Sequence, residues 1–227
     1  KAYNALGTAY YRKGMMEEAI VNMEHSVSLT FIPEMQLNLA MAYLLTQDFE
    51  RGWRLWDSRR AVINPPPLKT PMWKGASLKG KTILVYAEMG YGDTLQFVRY
   101  LPLLIFLYGA KEVLLQLNNK GMDDFLRGCD LCATIIGVDE PTPSYDANTY
   151  LMSIPEVHKT DLNNIPCRER YLKADPLRVK MFKALTQCAT ELSTKLQIGI
   201  FWQGNPELES DRRRSIPLKY LLPLCAL

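Results

Sequence analysis

A membrane-spanning segment is missing from this sequence. No run of about 18 apolar residues occurs, and the apolar stretch from Leu101 to Leu107 is short, carries Pro102 and is bounded by Arg99 and Lys111. No charged-then-apolar leader opens the chain. A dominant charge sign is missing as well: 27 Lys and Arg against 24 Asp and Glu leave a net charge of +3, too little to argue for a nucleic-acid or membrane-surface partner. Histidine is scarce, and His25 and His158 lie too far apart in sequence to suggest a triad. The five cysteines (Cys129, Cys132, Cys167, Cys188 and Cys225) are odd in number and scattered. That pattern argues against a disulfide scaffold and for a reducing compartment, so a cytoplasmic location is expected. Cys129 and Cys132 form a Cys-x-x-Cys. No second pair stands at a zinc-binding spacing, and the pair follows a helix instead of opening one after a strand, as a redox pair does.

What is present is an ordinary globular composition, 48% hydrophobic and 22% charged, over 227 residues, enough for one or two domains each with its own core. An internal repeat occupies the first 60 or so positions. Leu6, Gly7, Tyr10 and Ala19 return 33 residues later as Leu39, Ala40, Tyr43 and Gly52; Met16, Ala19, Ile20 and Met23 return as Phe49, Gly52, Trp53 and Trp56. The second set follows the i, i+3, i+4, i+7 stripe of a helix. Small residues at Gly7/Ala40 and Ala19/Gly52 allow antiparallel helices to approach closely, with breaks at Gly14 and at Gln47-Asp48. This pattern over residues 1–61 resembles the tetratricopeptide repeat, whose members bind peptides or protein partners. Here the unit is one residue short and Phe31 stands at the usual proline. Two such units expose apolar faces that need neighbours.

Asn64-Pro65-Pro66-Pro67 ends the helices, and residues 62–80 are expected to form an extended linker lying on a surface through Trp73. Strand-forming runs then alternate with helical ones: strands at 82–87, 112–117, 134–137 and 145–151, helices at 95–108 and 122–127, a long helix from Pro176 to about Thr194, and a further strand at 197–202. This alternation predicts a parallel sheet with right-handed crossovers.

Between the first strand and its helix stands Glu88-Met89-Gly90-Tyr91-Gly92-Asp93-Thr94. Ligands of open parallel sheets bind at this place, and Gly90 and Gly92 are expected to supply positive-φ geometry. The turn is not a dinucleotide fingerprint, because Leu95 replaces the third glycine and Asn118-Asn119 stand where an acidic residue would meet a ribose. Nor is it a P-loop. Asp93 has two readings here: a helix cap, or a general base facing a cleft.

The run Gly90-Tyr91-Gly92-Asp93-Thr94-Leu95-Gln96-Phe97-Val98-Arg99-Tyr100-Leu101-Pro102 resembles the heptosyltransferase-like glycosyltransferases, above all the bacterial branch fused to tetratricopeptide repeats. So do Pro71-Met72-Trp73, Tyr145-Asp146, Ser153-Ile154-Pro155, Ile200-Phe201-Trp202-Gln203-Gly204-Asn205-Pro206 and Asp211-Arg212-Arg213-Arg214-Ser215-Ile216-Pro217-Leu218. The resemblance implies a GT-B arrangement of two Rossmann-like halves, the first handling the acceptor and the second the nucleotide-sugar donor. It makes Asp93 the catalytic carboxylate and Gly90, Gly92, Thr94, Gln96 and Arg99 its substrate-binding surroundings. Asn205, Arg214 and Ser215 become donor phosphate contacts, and the transfer is inverting with no metal or other cofactor. The acceptor would be a glycan or a protein, with the repeats recruiting it or another partner.

The implied organisation is repeats at 1–61, linker at 62–80, a first Rossmann-like half at 81–195 and the start of a second at 196–227. Both ends of the sequence fall inside patterns, so a fragment without most of the donor half is expected to be inactive. The second reading is a non-catalytic repeat scaffold for protein–protein interaction. It is favoured by Glu207 and Glu209, two acids beside the expected phosphate loop where the family often carries His and Asn.

Overall fold

A computed structural model describes residues 1–67, 69–166, 170–189, 198–204, 206, 211, 214 to 226, with side chains omitted at 187–189 and 225–226. These divide into two compact units, Lys1–Pro176 and Leu177–Leu227.

The first unit opens with four helices, α1 (Ala2–Lys13), α2 (Met16–Leu29), α3 (Pro33–Leu45) and α4 (Phe49–Trp56). The 33-residue offset reappears in the fold, since α2 begins at Met16 and α4 at Phe49. Gly14 takes the left-handed conformation (φ 79) that ends α1. In the second pair Gln47 turns the chain with φ 66, and the Asp48 side chain caps α4 by accepting the Arg51 amide at 3.1 Å. The small residues sit where helices meet. A β-carbon built at Gly7 would stand 2.7 Å from Met23 Cγ, and one at Gly52 2.6 Å from Leu44 Cδ2. Met23, Leu39, Ala42 and Tyr43 close the core of this region.

A short helix α5 (Arg59–Ile63) follows, ended by left-handed Asn64. Residues 62–80 are more than a surface spacer. Trp73 is buried, with its ring edge-on to Tyr108, its indole N–H donating to Ala76 O at 2.7 Å and its amide to Asn148 O at 2.6 Å. Met72 forms a parallel bridge with Asn148, so this segment covers the edge of the sheet.

The sheet comprises β1 (Thr82–Tyr86), β2 (Glu112–Gln116), β3 (Thr134–Ile136) and β4 (Ala147–Tyr150), all parallel, in the order β3-β2-β1-β4. Alternation along the strands divides the side chains. Ile83, Val85, Val113, Leu115 and Ile135 join the main core with Val98, Leu101 and Leu104, while Leu84, Leu114 and Ile136 form a smaller cluster on the opposite face. The helical run expected at 95–108 starts earlier and is broken: α6 covers Tyr91–Phe97, a 3₁₀ turn Val98–Tyr100, and α7 Leu101–Phe106. Pro102 lacks an amide donor, which explains a fresh helix start there. The fold continues with α8 (Asp123–Arg127) and, after a 3₁₀ turn at Leu151–Ser153, α9 (Ile154–Val157).

The second unit contains nearly all of α10 (Pro176–Ala189) and a 3₁₀ segment, Leu218–Ala226. The strand expected at 197–202 is not formed: residues 198–204 are irregular, and Gln197 lies outside the described residues. A parallel strand needs a neighbour for its amides, and among the described residues this stretch pairs with no strand; Trp202 O accepts the Ile216 amide at 2.9 Å. The part of the helix expected beyond Ala189 lies outside the described residues.

Candidate functional site

The strand order reverses between β1 and β4, so the crevice beyond their carboxyl ends is where an open parallel sheet receives a ligand. Four side chains, Arg59, Glu88, Ser153 and Asp57, close its floor. Arg59, from α5, is fully buried; its Nε donates to Glu88 Oε1 at 2.9 Å, its Nη2 to Glu88 and to Ser153 Oγ (2.9 Å), and its Nη1 to Asp57 Oδ1 (2.9 Å) and Trp56 O (3.2 Å). Ser153 Oγ in turn donates to Asp57 Oδ1 at 2.6 Å. Glu88 follows β1 and Ser153 follows β4, so an arginine from the helical region ties both strands at the switch point. Burial pushes the Glu88 carboxyl above its usual range, with Arg59 opposing. Burial would raise Asp57 too, but the Ser153 hydroxyl, Arg59 and Arg60 outweigh it and hold that carboxyl below the usual range.

Beside this floor lies a cavity of about 380 Å³. One wall comes from α4, with Phe49, Trp53 and Trp56; the other from α6 and the turn after it, with Asp93, Gln96, Phe97, Arg99 and Tyr100; Leu44, Met152, Thr160 and Ile165 complete it. Trp53 locks the two walls. Its indole N–H donates to Thr160 O at 2.9 Å, and its ring meets Phe97 edge-on at 6.4 Å. A second cavity of about 450 Å³ shares Phe49, Trp53 and Thr160 and adds Glu50, Arg54, Glu156, Lys159 and Asp161. Burial raises the Glu156 carboxyl, helped by the nearby Asp57 charge.

Of the residues singled out in the sequence, Asp93, Gln96 and Arg99 meet in the first cavity, where i, i+3 and i+6 spacing places them on one side of the helical run. Asp93 is half-buried. Its Oδ2 accepts the Gly90 amide at 2.9 Å, so it caps α6 and lines the cavity at once. Arg99 lies over the Tyr171 ring (4.7 Å) and donates to the Tyr171 hydroxyl at 3.1 Å. Gly90, Gly92 and Thr94 do not line the cavity. Thr94 is buried and its hydroxyl turns back to Gly90 O at 3.3 Å. Neither glycine has positive φ: Gly90 is extended (φ −91, ψ 175), Gly92 lies within α6, and the left-handed residue of the turn is Met89, with φ 65.

The expected phosphate contacts belong to the second unit. Ser215 Oγ accepts the Gly204 amide at 2.9 Å and donates to Asp211 Oδ2 at 2.7 Å, so its proton is engaged within the loop. Arg214 keeps a half-exposed guanidinium 4.0 Å from Asp211 Oδ1. Asn205, Arg212, Arg213, Glu207 and Glu209 lie outside the described residues. Among the described residues no group of three or more His, Cys, Asp or Glu could hold a metal ion, and no helix is long and apolar enough to cross a membrane.

Sequence reasoning missed the Arg59 cluster. The available signal was Glu88, a charge placed directly after a buried strand, together with the acid–base run Asp57-Ser58-Arg59-Arg60. Trp53 and Trp56 both pack against the core and line the cavity.

The chain is similar to Protein FlbA of Caulobacter vibrioides, with 24% identity over 238 residues, covering 94% of this chain and 39% of FlbA. No family model matches the chain, and no solved structure matches it.

Proposed function

We propose that residues 81–195 form the acceptor side of a glycosyltransferase of the heptosyltransferase-like, GT-B type, preceded at residues 1–61 by tetratricopeptide-type repeats that recruit an acceptor or partner. The observation that carries this reading is the meeting of Asp93, Gln96 and Arg99 in one cavity at the ligand-binding end of a parallel sheet. Its volume falls within the range of small-molecule sites. Its aromatic wall suits the apolar face of a sugar ring, and its polar edge suits hydroxyl groups.

In this reading Asp93 takes the proton from an acceptor hydroxyl as that oxygen attacks the anomeric carbon of a nucleotide-sugar. The bond from that carbon to the nucleotide phosphate breaks on the opposite face, and the nucleotide leaves with the electron pair. Gln96 and Arg99 orient the acceptor. The donor is held by a second half, of which Arg214 supplies a guanidinium. The chain spans 39% of the length of FlbA, so transfer is a property proposed for the complete gene product.

The test is a transfer assay with the complete protein and UDP-, GDP- and ADP-sugars, comparing wild type with Asp93→Asn. The isosteric change is expected to lower turnover about a hundredfold or more, in the range of losing a general base. Retained turnover removes Asp93 from the chemistry.

A second reading, a non-catalytic repeat scaffold, is favoured by two observations. The Ser215 hydroxyl is engaged with Asp211, and Asp93 already serves as a helix cap. Calorimetry with the same nucleotide-sugars separates the two, since a scaffold binds none of them.

A further inference from the structure

We propose that Asn118 and Asn119 are positioning residues for Asp93, acting through a single peptide plane. Both follow β2, about thirty residues from the turn they control. Asn118 Nδ2 donates to Met89 O at 2.9 Å, and Asn119 Nδ2 donates to the same oxygen at 2.8 Å. A carbonyl oxygen has two lone pairs, so the two side-chain amides saturate it. Asn119 Nδ2 also reaches Asn118 Oδ1 at 2.9 Å, which ties the pair together. A third strap runs between the same loops, from the Tyr91 hydroxyl to Lys120 O at 2.9 Å.

The Met89 carbonyl and the Gly90 amide belong to one peptide unit, which is planar and trans, with C=O and N–H pointing in opposite directions. Fixing the oxygen therefore fixes the direction of the N–H. That N–H donates to Asp93 Oδ2 at 2.9 Å. The line from the two asparagines to the carboxylate is thus rigid across one peptide, and donation to the carbonyl polarises the N–H that serves the carboxylate. The clamp also accounts for Met89 at φ 65, a conformation that non-glycine side chains adopt when their surroundings impose it. Where a dinucleotide-binding chain places an acid to read a ribose, this chain places two amide donors that orient its own carboxylate.

The geometric claim stands apart from the proposed transferase activity; only its consequence for turnover rests on that reading. The geometry is tested by NMR hydrogen exchange on the 227-residue chain, comparing wild type, Asn118→Ala/Asn119→Ala and the isosteric Asn118→Asp/Asn119→Asp, which keeps shape and removes the donors. Both variants are expected to speed exchange of the Gly90 amide about tenfold, the scale of one hydrogen bond to a charged group, while the Leu84 and Val85 amides of β1 hold their wild-type rates. Unchanged Gly90 exchange, or equal acceleration in β1, overturns the proposal.

The second readout is transfer by the complete protein with whichever donor the screen above identifies. A positioning role lowers kcat about tenfold or more and leaves donor KM within about threefold. Unchanged kcat with an unprotected Gly90 amide overturns the positioning role. If no donor is turned over, the transferase reading fails and the Gly90 exchange still decides the geometry.

Discussion

Replacing Arg59 by Met is the most informative single perturbation of this fold. The side chain is fully buried, and its Nε, Nη1 and Nη2 donate to Glu88, Asp57, Ser153 and the Trp56 carbonyl. Methionine fills much of the same volume and removes every donor. Glu88, 2% exposed, is then left without its counter-charge. Breaking a buried ion pair from one side costs about 3–5 kcal/mol, because the remaining charge must stay desolvated or take up a proton. For a unit of this size each kcal/mol lowers Tm by about 2–4 °C, so a drop of roughly 6–20 °C is expected at neutral pH. The double variant Arg59→Met/Glu88→Met removes both charges and is expected to recover most of that loss, since apolar replacement of a whole buried pair is often close to neutral. Asp57 keeps Arg60 and Ser153 in both variants. The assay is thermal and urea denaturation followed by circular dichroism, with intrinsic fluorescence as a second probe whose signal includes Trp53 and Trp56 of the preceding helix. If Arg59→Met costs less than about 1 kcal/mol, or the double variant is less stable than the single, the cluster does not fasten α5 to the sheet and the reasoning fails.

Three further outcomes are expected. The Asp57 carboxyl is held low in the folded state, so its stabilisation is present above the unfolded pKa of about 3.9 and is lost as pH falls through the folded value. The Tm gap between wild type and Asp57→Asn should therefore be widest above about pH 5 and narrow as pH falls below the unfolded pKa; a gap that widens in acid contradicts this. Gly52→Val should destabilise the helical region by about 1–3 kcal/mol through overpacking against Leu44, as read from urea midpoints; a stabilised variant would mean that α3 and α4 are less closely apposed. Trp53→Phe keeps an aromatic ring in the wall but leaves the Thr160 carbonyl without its indole donor, at a cost of about 1 kcal/mol. Its denaturation midpoint should fall between those of wild type and Trp53→Ala.

Local pattern was enough for much of this architecture. The 33-residue offset, the helix-ending Gly14 and the small residues at Gly7, Ala19, Ala40 and Gly52 are properties of neighbouring positions, and the helices formed where the apolar stripes lay. The same holds for the strands at 82–86 and 112–116 and for their parallel pairing, because buried runs alternating with helical ones leave few other arrangements. Asp93 was legible as a residue opening a helix beside a glycine-rich turn.

What lay beyond the sequence depends on partners far away along the chain. The left-handed residue of the turn is Met89, with two glycines close by, because side-chain amides about thirty positions later hold its carbonyl. In the sequence Arg59 is one charge in the run Asp57-Ser58-Arg59-Arg60, and only the folding of α5 onto the ends of β1 and β4 brought Glu88 and Ser153 to it. The run 198–202 has the residues of a strand, yet strand formation is a property of a pair, and no neighbour among the described residues offers it a ladder. Side-chain pattern along the chain therefore set which segments became helix and buried strand. The orientation of the turn, the closed floor of the crevice and the walls of the cavity were decided by contacts between segments, whose energies depend on distances that no local pattern encodes.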